Sequence, residues 1–320
     1  MIHTDKLSRT FVTGKESIEA VRGVDFDVAK GELVALLGPN GAGKSTMLRM
    51  LTSVLPPTSG TARVAGIEVT EDPAEVRRRI GFIGQGNGAG HSHRVWDELL
   101  MQGRFYGMSR SDAVSSGERL LTSLDLGGMK MRKVSTLSGG QKRRLDIAMG
   151  LIHSPELLFL DEPSTGMDPQ NRANLWEHIT RMREEFGTTI VLTTHYLEEA
   201  DSMAERVVII DHGTVIADDT ATALKANQAG DRLTVTVARA DVAKAREAAD
   251  VAHESIDETV EGDTAVIGIR VDQGDQFLPR YLRKLDAAGI DVLSATLRQP
   301  TLDDVFLTLT GRSLREGAEA

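Results

Sequence analysis

Apolar residues fall along this chain in short runs, separated by longer segments in which they recur every three or four positions. Val24 to Val28 alternate between apolar and polar, whereas the segment Glu32 to Leu37 closes on an unbroken apolar run. Alternation predicts a strand with one wet face, and an unbroken run predicts a strand buried on both faces. Glycine-rich residues follow, and a helical pattern begins near Lys44, so this segment reads strand, loop, helix. Leu157 to Leu160, Thr189 to Thr193 and Arg206 to Ile210 repeat the buried-strand pattern, with a helix over Gln170 to Phe186 between the first two. Helices are also expected from about Ser109 to Leu126 and from Gly140 to Leu151, the second with a polar, Arg-rich face. These two make up a helical insert over about residues 86–155.

Near Ala226 to Asp231 the composition shifts to Asn, Gln, Ala and Gly, and a new series of short elements begins. A domain boundary is placed there, giving domains of residues 1–226 and 227–320. In the second, Leu233 to Val237, Thr264 to Val271 and Val292 to Leu297 read as strands, with helices near Asp241 to Asp250 and Asp275 to Ala288. That is a small α+β domain without evident chemistry, ending in a frayed acidic tail at Arg315 to Ala320. No tandem repeat or low-complexity tract is present.

Composition narrows the function classes. The length of 320 residues allows a large domain plus an appendage, and 40% apolar with 26% charged residues is ordinary globular usage. With 37 basic against 47 acidic residues the net charge is −10, a poor footprint for gripping phosphate backbones, so no nucleic-acid partner is expected. The apolar runs are far shorter than the roughly 20 residues of a membrane helix. No secretory pattern opens the chain, and a cytosolic position is expected. The absence of cysteine excludes disulfides and thiolate metal sites. His91 and His93 read as ordinary loop residues, and no metal-binding histidine is expected.

The chemistry concentrates in two stretches. Gly38-Pro-Asn-Gly-Ala-Gly43-Lys44-Ser45-Thr46 matches the P-loop pattern between an expected strand and an expected helix. The backbone amides of such a loop close around phosphates, the helix N-terminus adds positive potential, Lys44 reaches the β and γ oxygens, and Ser45 holds Mg²⁺. Gly38, Asn40, Gly41, Gly43 and Thr46 complete the cradle for ATP. The second stretch, Leu157 to Pro163, ends a buried strand with Asp161 and Glu162, where open α/β sheets meet their ligands. Asp161 is positioned to orient Mg²⁺, and Glu162 to take a proton from the water that attacks the γ-phosphate.

Between these stretches lies Leu137-Ser138-Gly139-Gly140-Gln141, a turn opening a helix. The order P-loop, Gln85, LSGGQ, LFLDEP, Asp168 in Ser-Thr-Gly-Met-Asp-Pro, and His195 in Thr-Thr-His resembles an ABC transporter nucleotide-binding domain, over about residues 4–225. The resemblance implies a P-loop NTPase fold of ABC type, α/β with the helical insert. It also implies a head-to-tail homodimer with two ATPs sandwiched, in which Ser138, Gly139, Gly140 and Gln141 of one copy face the γ-phosphate held by the other. By the same resemblance Gln85 senses Mg²⁺ and water, His195 is the γ-phosphate switch, Asp168 belongs to the nucleotide interface, and Phe11 stacks on adenine; as a lone aromatic on an alternating strand, Phe11 also fits a core position. Residues 300–311, Pro-Thr-Leu-Asp-Asp-Val-Phe-Leu-Thr-Leu-Thr-Gly, are similar to the tail motif of the daunorubicin-resistance ATP-binding subfamily, and equally fit an amphipathic closing helix.

That subfamily energises two-component drug exporters, which implies separate permease subunits and a peripheral place at the cytoplasmic face of the membrane. One departure stands out: residues 86–93 are Gly-, Ser- and His-rich, where such exporters often carry more apolar residues. Met167 replaces the usual leucine before Asp168, a volume-conserving exchange. The competing reading is a soluble, non-transport ABC ATPase acting as a regulatory or ribosome-associated module, against which stand the single cassette and the acidic balance.

Overall fold

The computed structural model describes residues 1–14, 16–86, 88–250 and 256–312. The chain divides into two compact units, Met1–Thr220 and Ala221–Ala320, a division that falls slightly ahead of the compositional shift.

The first unit opens with two long antiparallel strands, β1 (Ile2–Thr13) and β2 (Glu16–Val28), followed by β3 (Leu33–Leu37), α1 (Lys44–Leu51), β4 (Ser59–Val64), β5 (Ile67–Glu68), α2 (Pro73–Arg79) and β6 (Ile80–Ile83). Three helices come next, α3 (Val95–Phe105), α4 (Arg110–Ser123) and α5 (Gly139–Leu151). The unit closes with β7 (Leu157–Asp161), α6 (Pro169–Phe186), β8 (Thr189–Thr194), α7 (Leu197–Met203), β9 (Arg206–Asp211) and β10 (Thr214–Asp219). One sheet is antiparallel, in the order β2-β1-β4-β5; the other runs β10-β9-β3-β8-β7-β6, parallel except for β10. Every residue of β3, β7 and β8 is buried, as a strand covered on both faces requires. Phe26 of the antiparallel sheet, Met47 and Leu48 of α1, and Leu36, Phe159, Val191 and Val208 of the parallel sheet belong to one continuous core. The ends of β3, β6, β7 and β8 that deliver the chemistry therefore stand on a rigid base.

The second unit begins with α8 (Ala221–Leu224) and continues through β11 (Asp231–Ala238), α9 (Val242–Ala249), β12 (Ile256–Glu261), β13 (Thr264–Val271), α10 (Gly274–Ala287), β14 (Val292–Arg298) and α11 (Leu302–Thr310). Its sheet is antiparallel in the order β12-β13-β11-β14. Leu233, Val235 and Val237 alternate into a core with Ile267, Ile269, Tyr281 and Leu285. The Tyr281 hydroxyl donates to the Ala245 carbonyl at 2.8 Å, so the buried phenol keeps its hydrogen bond. Thr301 and Asp304 form a capping box at the start of α11, and Leu302, Val305 and Phe306 are buried, so the tail motif is an amphipathic helix in this unit. The expected frayed end, Arg315 to Ala320, lies outside the described residues.

Several elements escaped the pattern for physical reasons. β6 has four residues, one of them Gly81; β12 has only two apolar residues, as suits a strand at a sheet edge. The polar face expected for α5 is not solvated: Arg143 and Asp146 are both buried, for reasons that belong to the site below. Gly81 and Gly150 bring β6 and α5 into close contact, and a Cβ on Gly81 would strike the Gly150 carbonyl and approach Leu158 Cδ1 at 2.8 Å. Gly81→Ala is expected to cost about 1–3 kcal/mol through overpacking, read as a lowered urea midpoint with an unchanged slope; an unchanged midpoint would show that this contact yields.

Candidate functional site

The loop from Gly38 to Gly43 leaves the C-terminal end of β3 and enters α1 at its N-terminus. Gly43 has a φ of 104°, which only glycine adopts readily, and a Cβ there would run into the Ala20 carbonyl of β2. A cavity of about 190 Å³ opens over the loop, lined by Asn40, Gly41, Gly43, Lys44, Ser45 and Thr46 together with Ala20, Gln85 and Glu162. Gln85, just past β6, thus stands across from the phosphate cradle.

Lys44 is 4% exposed, and its ammonium donates to the carbonyls of Gly38 at 2.7 Å and Pro39 at 2.9 Å. Glu162 Oε1 lies 3.8 Å from the same nitrogen. Burial pulls the Lys44 pKa below its usual value, and the neighbouring carboxylates of Glu162 and Asp161 oppose that fall.

The two adjacent acids face different partners. Asp161 Oδ1 accepts from Ser45 Oγ at 2.9 Å and from Thr193 Oγ1 at 2.7 Å. Glu162 has a φ of 47°, an uncommon conformation for a non-glycine residue, and its amide donates to Thr193 Oγ1 at 3.0 Å. The turn sends its carboxylate toward Lys44 on one side and His195 Nδ1, 3.4 Å away, on the other. His195 and then Lys44 hold the Glu162 carboxyl below the usual glutamate range despite its partial burial, so it is ionised at neutral pH. His195 follows β8 directly, which fixes its place beside the end of β7.

Arg143 and Asp146 explain the buried polar face of α5. Arg143 donates to the Pro163 carbonyl and to the Gly84 carbonyl, each at 2.7 Å. Asp146 Oδ1 accepts the amides of Gly88 and Ala89 at 3.0 and 3.3 Å. Together they clamp the segments on either side of Gln85 and the exit from Glu162 to the helix of the LSGGQ motif.

The remaining expected residues stand away from this cavity. Ser138 caps α5 and forms a capping box with Gln141; Ser138 and Gly139 are exposed, Gly140 and Gln141 half-buried, and none of the four lines the cavity. Asp168 caps α6, accepting from the Asn171 amide at 3.0 Å and the Asn171 side chain at 2.5 Å. Phe11 lies on β1 opposite Ile18, with the Arg9 guanidinium 4.9 Å from its ring, and does not line the cavity. Residues that the sequence reading passed over are Thr193, which bridges Asp161 and Glu162, and Ala20, whose strand forms one wall. The readable signal for Thr193 was a pair of hydroxyl residues closing a strand whose middle, Ile190 to Leu192, is apolar.

Comparison with known proteins agrees with this geometry. The family described as ABC transporter matches residues 21–165. The daunorubicin/doxorubicin resistance ATP-binding protein DrrA of Streptomyces peucetius is 41% identical over 307 residues, 94% of this chain and 92% of that protein. The linearmycin resistance ATP-binding protein LnrL of Bacillus subtilis is 34% identical over 99% of this chain and 100% of its own length. Among solved structures, a dimeric ATP-binding cassette in a post-hydrolysis state with ADP and phosphate superimposes with a TM-score of 0.63 at 26% identity, covering 69% of this chain and 98% of that one. With relatives this similar over nearly its whole length, the chain belongs to the ABC transporter family as an ATP-binding, ATP-hydrolysing subunit.

Proposed function

We propose that this chain is the motor of a two-component exporter of drugs or other hydrophobic small molecules, working through separate permease subunits at the cytoplasmic face of the membrane. Relatives named for daunorubicin, doxorubicin and linearmycin resistance support the substrate class. On this reading the permease subunits are separate chains; among the described residues no helix is long and apolar enough to cross a membrane.

The observation that carries the mechanism is the separation of the two motif sets. The cavity is lined by the P-loop, Gln85 and Glu162, while Ser138 to Gln141 open a helix elsewhere on the same chain, exposed or half-buried. A second copy arranged head to tail brings its Ser138 hydroxyl, its Gly139 and Gly140 amides and a helix N-terminus to the γ-phosphate, which joins two ATPs to two chains. Asp168 lies at the same interface, and Phe11 supports the adenine ring. The dimer of the solved cassette supports this arrangement.

Ser45, Asp161 and Gln85 offer hydroxyl, carboxylate and amide oxygens, a donor set suited to Mg²⁺, which keeps several waters and binds along with substrate phosphates. Among the described residues no group of three or more His, Cys, Asp or Glu forms a separate cage for a metal. Bound there, Mg²⁺ supplies neutralisation of charge on the β- and γ-phosphate oxygens. In the closed dimer Glu162 accepts the proton of the attacking water, and His195 contacts the γ-phosphate. Closure drives transport because ATP binds the closed dimer more tightly than the open one; equal affinities would shift nothing.

Light scattering on the Glu162→Gln chain tests this reading. Mg-ATP is expected to double the scattering mass, and the permease to copurify with the chain from membranes. A chain that dimerises and finds no membrane partner would be a soluble module instead, and a chain that stays monomeric with ATP bound would remove the sandwich.

A further inference from the structure

Behind the cavity lies a buried carboxylate that the hydrolytic reading does not use. Glu199 of α7 is 3% exposed. Its Oε1 accepts from Ser164 Oγ, and its Oε2 accepts from Thr194 Oγ1 at 2.8 Å. Ser164 and Thr194 are themselves 1% exposed. Arg172 of α6 brings its Nε to 3.6 Å from Oε1, donates to the Met167 carbonyl at 3.3 Å, and stacks 3.9 Å over the Tyr196 ring. Tyr196 in turn donates its amide to Thr194 Oγ1 at 2.9 Å.

The partners of this one carboxylate fall on three functional segments. Ser164 is two residues past Glu162, Thr194 immediately precedes His195, and Met167 immediately precedes Asp168. A buried charge costs stability unless fully paired, and an apolar side chain of similar volume would fill the same space with less loss. Two hydroxyl hydrogen bonds from different segments, by contrast, fix a separation that apolar packing leaves soft. Across that same separation His195 Nδ1 stands 3.4 Å from Glu162 Oε2.

We propose that Glu199 is a positioning residue for hydrolysis: its carboxylate sets the spacing between the segment that carries Glu162 and the segment that carries His195, with Arg172 extending the tie to the Asp168 loop. The inference rests on the roles given above to Glu162 and His195. It assigns Glu199 no part in nucleotide binding, since Lys44 is held by Gly38 and Pro39 and Ser45 by Asp161, all through separate bonds.

The test uses the full-length chain carrying Glu199→Gln, which keeps volume and removes the charge. The rate constant of single-turnover hydrolysis is expected to fall about tenfold to a hundredfold, the scale of a small misplacement of reacting groups, while nucleotide affinity holds and the chain stays folded at the assay temperature. Glu199→Asp, which restores the charge on a shorter stem, is expected to recover part of the rate. Placed in a His195→Ala background, Glu199→Gln is expected to add little, because residues acting through one another are not additive. Full additivity, or a rate unchanged by Glu199→Gln, overturns the proposal. Should Glu199→Gln fold poorly, Ser164→Ala and Thr194→Val each remove one arm; a several-fold loss of rate at constant affinity supports the tie, and two normal rates overturn it. Glu162→Gln and His195→Ala alone separate the levels: if both are inactive and Glu199→Gln is normal, only this inference fails, whereas normal turnover in either fails the site reading and the inference with it.

Discussion

Replacing Glu162 by Gln is expected to slow ATP hydrolysis by about 10²–10⁴-fold, the usual contribution of a positioned general base, while nucleotide binding survives. The side chain has no competing structural role, because its amide is held by Thr193 and its carboxylate faces only Lys44, His195 and Thr165. Gln fills the same space and makes neutral contacts in its place, but it cannot take the proton of an attacking water. Binding persists because the cradle of backbone amides and Lys44 is untouched; losing the Glu162 charge even frees Lys44 for phosphate. The same geometry gives a pH dependence. The Glu162 carboxyl is held below the ordinary glutamate value, chiefly by His195, so the base form is present above that lowered pKa and is lost as pH falls through it. The acid limb of the wild-type hydrolysis profile should therefore lie below the ordinary carboxylate range. Single-turnover phosphate release with saturating Mg-ATP measures both effects, and near-normal turnover in the variant would remove Glu162 from the mechanism.

The parts of the molecule that were legible in sequence are those whose physics is local. β3, β7 and β8 are buried on both faces, so each carries an unbroken apolar run, and the loop into α1 places glycine at positions 41 and 43, where φ is positive. Asp161 and Glu162 were readable because a carboxylate pair at the end of such a strand has few structural uses. What escaped reading depends on residues far apart in sequence. Glu199 looks like one more acid on a helix face in Leu-Glu-Glu-Ala-Asp, and only the arrival of Ser164, 35 positions away, makes it a buried junction. Arg143 and Asp146 looked like a solvated face of α5, yet Gly84, Pro163, Gly88 and Ala89 fold onto them. Phe11 carries no local mark that distinguishes a nucleotide-facing ring from one packed on its own sheet. β12 is hidden for the opposite reason: a charged edge strand has little hydrophobic pattern to show.

Replacing Lys44 by Met is expected to weaken ATP binding by about a hundredfold, on the scale of the roughly 2–5 kcal/mol lost when one partner of a buried, hydrogen-bonded charge pair is truncated. Two effects act in the same direction. The ammonium that reaches the β and γ oxygens is gone, and Met offers a similar unbranched stem, one atom shorter, without a donor. In addition, Glu162 and Asp161 lose the cation that attracts both, so the cavity presents unshielded carboxylates to a nucleotide that is itself strongly anionic. The second effect can be separated from the first by titration. Without Lys44 the Glu162 pKa should move upward, so the affinity lost relative to the parent chain should shrink as pH is lowered and the carboxyl becomes neutral, whereas loss of the lysine contact alone leaves the variant weaker by the same factor at every pH. Titration calorimetry with ATP across a range of pH distinguishes the two. A variant that binds within threefold of the parent chain would show that the backbone amides of the loop, and not Lys44, carry the phosphate affinity.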